Sequence, residues 1–473
     1  MKKQFGIVVL ALALVLGGVV SVSAQDTPSV EVADQLSLDG TVTIASAYSE
    51  GPGFIVIHID NGEGAPGPIA GYRAINPGWN YNVKVEIDTT MATPTLFAML
   101  HKDDNTVGEY EFGQVEGADG PVVVDGSVVT PPFNVNIVYA TDQFVEMGHI
   151  TIASVTAQVP GWLVVHALNP EGFRPGPVLG ETWVDAGTTV DVQVDLEGEI
   201  TDVLWPMLHV DTGEAGVYEF GSVEGADVPV VVDGRVATFP IWTVPHMRVS
   251  DQPIMHGENR PDGGGMMTPT LVADSALSEG PGWLVVHADN DGAPGPVLGF
   301  SPVEAGLNTD VAVELDADGL TPTLWPMLHV DTGEAGVYEF GQVEGADGPV
   351  RVNDAVLTFP INAAPAIVYE GSIDEMGTLT VAEAVIDAPG WLVIHANADG
   401  APGPVLGATP LLHGVNTNVA VQVDPDAAGD QVFPMLHYDT GEAGVYEFGQ
   451  VEGADPPVFL GGAPVVGPMS LGE

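Results

Sequence analysis

An eighteen-residue stretch, LWPMLHVDTGEAGVYEFG, occurs twice without a change, from Leu204 to Gly221 and from Leu324 to Gly341. Near copies start at Phe433 (FPMLHYDTGEAGVYEFG) and Phe97 (FAMLHKDDNTVGEYEFG), and a VEGAD segment follows each of the four. Upstream of each lies a second block: GFIVIHID from Gly53, GWLVVHAL from Gly161, GWLVVHAD from Gly282 and GWLVIHAN from Gly390. Such a period constrains the chain more than its length does, because every copy must fold to the same unit and the units must pack in series. The first histidines of the blocks are spaced by 108, 121 and 108 residues. The longer interval holds an insertion near His256 to Met267 (HGENRPDGGGMM), which reads as an enlarged flexible loop.

Within one repeat, short runs of Val, Ile, Leu, Thr and aromatic residues alternate with Pro-Gly, Asp-Gly and Gly-rich turns, and helical periodicity is absent. In the second copy this pattern predicts strands at 138–144, 149–157, 161–167, 176–182, 190–196, 204–210, 218–220 and 236–241. That density of strands in about 100 residues is the mark of an antiparallel sandwich, with a closed barrel as the alternative. The expected fold is all-β: four tandem Ig-like antiparallel β-sandwich repeats over 25–135, 136–243, 244–363 and 364–462, with a tail at 463–473. Junctions such as Pro131-Pro132 and Ala364-Pro365 are short and Pro-containing, which predicts a semi-rigid rod.

Lys2 and Lys3, an apolar run from Ile7 to Val20 and the small residues around Ala24 read as a secretory signal peptide cut after Ala24. The mature chain then keeps all 65 acidic side chains and all but two of the ten basic ones. That charge repels phosphate backbones and anionic head groups, so nucleic acid is excluded, and cations or basic extracellular surface components are the expected partners. No later apolar stretch reaches the roughly 18 residues of a membrane span. With no Cys in 473 residues, thiol chemistry and disulfides are excluded too. The expectation is a secreted, extracellular or cell-surface protein held by packing, repetition or bound ions.

Eight of the twelve histidines fall at the two repeated positions: His58 and His101, His166 and His209, His287 and His329, His395 and His437. Strand alternation puts Trp162, Val164 and His166 on one face, and Trp205, Met207 and His209 on one face of the later strand. If the two strands are neighbours, the His pair with Met99, Met207, Met327 or Met435 could bind copper or zinc. In an Ig-like topology the two strands run antiparallel, which would place histidines at the late end of each at opposite ends of the sheet. Each would then do no more than hydrogen-bond its own loop. The insertion and its approach add His246, Met247, Met255, His256, Met266 and Met267 as a weaker copper candidate.

The acidic loop after the later His has partial calcium-loop spacing. Hard cations want oxygen ligands at alternating positions around a sharp Gly turn, and Asp211, Gly216, Val217 and Glu219 fall at loop positions 1, 6, 7 and 9. Positions 3 and 5 are Gly213 and Ala215 and position 12 is Ser222, so the cage needs Glu214 or Glu224 to fold in. The same reading selects Asp331, Glu334 and Glu339, and Asp439, Glu442 and Glu447; the first copy offers Asp103, Asn105 and Glu111. The other reading is an acidic turn joining two strands. A hydrolase would have to draw on Asp211, Glu214, Glu219, Glu224 and His209, but four tandem copies of one active site argue against it.

The order of an FVVIHD-like strand, a PGPVLG-like turn, an LxAMLHxDT strand end and a YEF plus acidic segment resembles a repeat domain of unknown function. That domain occurs in surface and secreted proteins of halophilic archaea and some bacteria. The resemblance covers all four repeats and implies a β-rich extracellular module with no established activity. Relatives often carry a richer Asp/Asn loop at the position of Asp211, so Gly213 and Ala215 weaken the calcium inference. Three functions follow in order: a non-catalytic binding or spacer protein steadied by divalent cations; a His/Met copper or zinc protein; and an acidic coat protein whose charge serves solubility.

Overall fold

The computed structural model describes residues 27–261, 268–374 and 376–471; the signal-peptide reading therefore lies outside the described residues. In the first repeat the strands are β1 (Ser29–Glu31), β2 (Gln35–Ser37), β3 (Thr41–Ser49), β4 (Gly53–Asp60), β5 (Pro66–Ile75), β6 (Gly78–Glu86), β7 (Thr95–Lys102), the small hairpin β8 (Val123–Val124) and β9 (Ser127–Val128), and β10 (Pro132–Tyr139). One sheet runs β1-β3-β6 and the other β5-β4-β7-β10, antiparallel throughout; β2 pairs in parallel with β10. Facing residues fill the space between them: Val42, Ile44, Val83 and Val85 from the first sheet, Ile55, Ile57, Leu96 and Leu100 from the second. The described residues are almost all β, with one helical turn at Pro425–Ala428 and a 3-10 turn at Ala317–Gly319, and form a series of four such sandwiches, each with its own apolar core.

β4 and β7 are buried along nearly their whole length, on both faces. The inner face makes the core, and the outer face lies under the loop from 103 to 122, which returns across the sheet through the bridge between His101 and Pro121. The close approach needs glycine at the start of the β4 counterparts: a Cβ at Gly161 would run into the carbonyl of His209, and one at Gly282 into that of His329.

Four features differ from the sequence reading. The strand expected at 138–144 lies at Pro132–Tyr139, where its first half closes the first repeat against β7 and its second half opens the next repeat against His149–Ala157. Residues 218–220 belong to no strand and are bracketed by Gly216 and Gly221 at φ 74° and 75°, a conformation that breaks a strand. The segment taken for a tail packs into the fourth sandwich: Met469–Ser470 pairs with Gln431–Tyr438, and Met469 and Leu471 are buried in its core. The repeats do not run out as a rod. Asn82 Nδ2 donates to the Asn418 carbonyl at 2.7 Å, joining first and fourth repeats, because short junctions fix the turn between neighbours rather than straightness.

The described start of the insertion, through residue 261, is held rather than free. Asn259 exchanges hydrogen bonds with the Pro457 carbonyl and the Phe459 amide, and Gly257 N–H donates to the buried carboxylate of Asp387, so residues 257–259 dock onto the fourth repeat.

Candidate functional site

The outer face of the paired strands carries the histidines. In the β4–β7 register His58 stands opposite Phe97, Val56 opposite Met99 and Phe54 opposite His101, so the two histidines are offset by four residues along the sheet. The antiparallel arrangement is as expected, but the histidines do not end up apart. Their side chains lean toward each other over the Val–Met pair, and the rings stack with centroids 5.9 Å apart. The other repeats repeat this at 5.7 Å (His166–His209), 5.8 Å (His287–His329) and 6.1 Å (His395–His437). At the first histidine of every pair the register with the neighbouring edge strand shifts by a β-bulge, a device that re-aims a side chain.

The hydrogen bonds fix the tautomers. Nδ1 of His58, His166, His287 and His395 lies 2.7–2.9 Å from the carbonyls of Gly67, Gly176, Gly295 and Gly403 in the PGP segments that open the neighbouring edge strand. Nδ1 of His101, His209, His329 and His437 lies 2.6–2.7 Å from the carbonyls of Asp119, Asp227, Asp347 and Asp455. A carbonyl only accepts, so Nδ1 carries the proton in all eight and Nε2 presents a lone pair. None of the eight is more than 7 % exposed. Seven of the Nε2 atoms have no hydrogen-bond partner; the eighth, on His101, lies 3.2 Å from Met99 Sδ. Burial pushes His101, His209, His329 and His437 down to about 4, so they are neutral at physiological pH.

The cover over this face is the acidic loop. Its organising residue is one that the calcium spacing passed over: the Asp of each VEGAD segment. Asp227 is fully buried at φ 47°; its carbonyl receives the His209 Nδ1–H while its carboxylate accepts the N–H groups of Thr212 and Glu219. Asp119, Asp347 and Asp455 do the same. The recurrence of an Asp eighteen residues after the later His in every copy was the available signal. Tyr218 and Phe220 complete the lid, with the Phe220 ring edge-on to His209 at 4.7 Å.

The calcium-spaced carboxylates are placed differently from a cage. Asp211 accepts from Gly216 N–H and Glu219 Oε2 from Glu214 N–H, which close the loop on itself; Asp331 and Glu339, and Asp439 and Glu447, repeat the pattern. In the first copy Glu111 takes the Asn105 amide and the Thr106 N–H, which hold its carboxyl below the usual range, and Asp103 takes Gly108 N–H. Glu214, Glu334 and Glu442 contribute backbone N–H groups and leave their side chains exposed. Among the described residues no group of three or more His, Asp or Glu side chains is arranged to hold a metal ion. Nor does His209 meet a carboxylate, as a hydrolase would need.

The second copper candidate is dispersed. His246 is bound to Asp142 at 2.8 Å and stacks on Trp242, Met247 is buried in the third core, and His256 faces Asp387 at 3.4 Å. Met255 is tied by its N–H to the Ala363 carbonyl, and Met266 and Met267 lie outside the described residues.

Comparison with known proteins adds a family and two surface relatives. A family model described as "Domain of unknown function (DUF7282)" matches residues 28–136, 136–240, 265–362 and 368–471. Cell surface glycoprotein 2 of Haloarcula hispanica is 35% identical over 114 residues, 24% of this chain and 12% of the relative; cell surface glycoprotein 1 of the same organism is 35% identical over 115 residues, with the same coverage. The match thus spans about an eighth of the length of these relatives. Among solved structures, the eight N-terminal Ig domains of Down Syndrome Cell Adhesion Molecule align over 89% of this chain and 54% of that one, at 8% identity and TM-score 0.13. The human desmocollin-1 ectodomain aligns over 87% and 76%, also at 8% and 0.13.

Proposed function

The chain belongs to the family of the domain of unknown function DUF7282, and from that premise we propose that it works outside the cell as a non-catalytic, acid-coated building block of the cell surface. The observation that carries this reading is the fourfold use of one sandwich in which, among the described residues, neither repeated histidine is hydrogen-bonded to a carboxylate in any copy. Sequence similarity to cell surface glycoproteins supports the location. So does the charge: a formal net of −55 suits a soluble surface exposed to cations. Tandem domains give reach and valency, and the contact between first and fourth repeats makes the unit a compact block rather than a long spacer.

Fractionation of cells expressing the tagged full chain tests this. The expected result is a product cut after Ala24, found in the medium or removed from intact cells by added protease. Accumulation of the uncut chain in the cytosolic fraction would sink the proposal.

A further inference from the structure

We propose that each repeat binds one soft metal ion, of the monovalent copper class, between the Nε2 atoms of its two histidines, with the thioether of Met99, Met207, Met327 or Met435 as a third donor. This goes beyond the surface role and does not depend on it. Seven buried imidazole nitrogens have no hydrogen-bond partner and the eighth, on His101, faces only the Met99 thioether, and an unsatisfied buried acceptor costs on the order of 1–3 kcal/mol. A fold that repeats this cost four times, while changing the residues around it, is holding the nitrogens for something. Trp162 and Trp205 become Phe54 and Phe97, and Pro206 becomes Ala98, yet the two histidines and the methionine stay.

The geometry fits a single shared ion. Two imidazoles bound through nitrogens about 2.0 Å from one metal place their centroids roughly 5.4 Å apart in a trigonal set and roughly 6.3 Å apart in a linear one, and the four observed separations, from 5.7 to 6.1 Å, fall between these. Each ring already has the support a metal-ligating histidine needs, because its Nδ1–H is anchored on a backbone carbonyl, which fixes tautomer and orientation. The 3.2 Å contact between His101 Nε2 and Met99 Sδ points the same way: with the proton on Nδ1, this nitrogen has no hydrogen to give, so two lone-pair donors stand side by side. Two imidazoles and a thioether, without a carboxylate in the set, are a soft donor group, suited to Cu(I) and poor for calcium or magnesium. The β-bulge at each first histidine lies where a register shift re-aims a side chain from the regular sheet direction.

The test uses the chain from Gln25 to Glu473, stripped with a chelator and titrated anaerobically with Cu(I) against a chromogenic Cu(I) chelator, then with redox-silent Ag(I). Four equivalents should be retained, falling to three in His166→Gln. X-ray absorption at the copper edge should show nitrogen and sulfur neighbours. The sulfur neighbours should vanish when Met99, Met207, Met327 and Met435 are all replaced by Leu, a volume-conserving change that leaves the far-ultraviolet circular dichroism intact. Retention of no equivalents would overturn the proposal and leave a buried water bridging the two nitrogens. Four equivalents still held by His166→Gln, unchanged copper neighbours in the Met→Leu variant, or four Zn²⁺ held where Cu(I) is not, would overturn it as well.

Discussion

The two faces of one strand pair obey different rules. On the inner face, Leu163, Val165, Leu204 and Leu208 are buried among apolar neighbours, and every buried atom there is satisfied by contact alone. On the outer face, Trp162, His166, Met207 and His209 are covered as well, yet the same repeat leaves Trp162 Nε1, Tyr218 Oη and both Nε2 atoms without partners. The inner face is redundant and tolerant: its volume must be filled, by almost any combination of aliphatic side chains. The outer face is specified atom by atom through the Asp227 carbonyl and carboxylate. Stability therefore concentrates between the sheets, and chemistry beneath the loop.

The largest expected effect separates the faces. Leu208→Ala opens a cavity between the sheets and should cost about 2–5 kcal/mol in urea unfolding, while leaving the tautomers on the other face unchanged by NMR. A loss below about 1 kcal/mol would mean that the outer layer carries the repeat.

Of the two faces, acid attacks the outer one. His209 titrates near 4 in the folded chain against 6.5 unfolded, because burial disfavours the imidazolium. Between those values the unfolded chain binds a proton that the folded chain refuses. This contribution is fully present above pH 6.5 and is lost as pH falls to about 4, amounting to roughly 3 kcal/mol at this site. Relative to His209→Gln, which cannot titrate, the wild type should lose that amount between pH 6.5 and 4. Parallel stability curves for the two proteins would break the argument.

Asp227→Asn comes next. The carbonyl to His209 survives, but a charged acceptor of two N–H groups becomes a neutral amide, at a cost of about 1.5–3 kcal/mol. Amide exchange should quicken across residues 211–228 and stay slow in Leu163 and Leu208. Uniform quickening would show that the lid and the core open together.

How much of this was legible follows from the same contrast. The inner face was readable because strand alternation and length specify it: 149–157 and 204–210 were expected as strands and are strands. The strand shared by two repeats was misplaced because hydrophobic pattern marks a strand without saying which sheet receives it. The histidines were found, and their antiparallel offset was foreseen, but the lean that brings the rings together is a matter of side-chain torsions, which spacing does not encode. Asp227 was passed over although its VEGAD segment was seen to recur, since its role depends on a left-handed backbone conformation and on a histidine eighteen residues away.

The smallest expected effect concerns the loop carboxylates. In a calcium cage, Asp211, Glu219 and their counterparts would repel one another until the ion arrived, and Ca²⁺ would raise the thermal midpoint by mass action. Here Asp211 and Glu219 already accept N–H groups of their own turn, so the charge that would bind calcium is engaged in shaping the lid. What remains to be neutralised is the diffuse charge of 65 acidic side chains, which any cation screens. CaCl₂ and NaCl at matched ionic strength should therefore raise the midpoint equally, and Asp211→Asn should not separate them. A calcium-specific rise that Asp211→Asn abolishes would return the ion to the loop and make the lid, rather than the histidine pair beneath it, the place where each repeat meets metal.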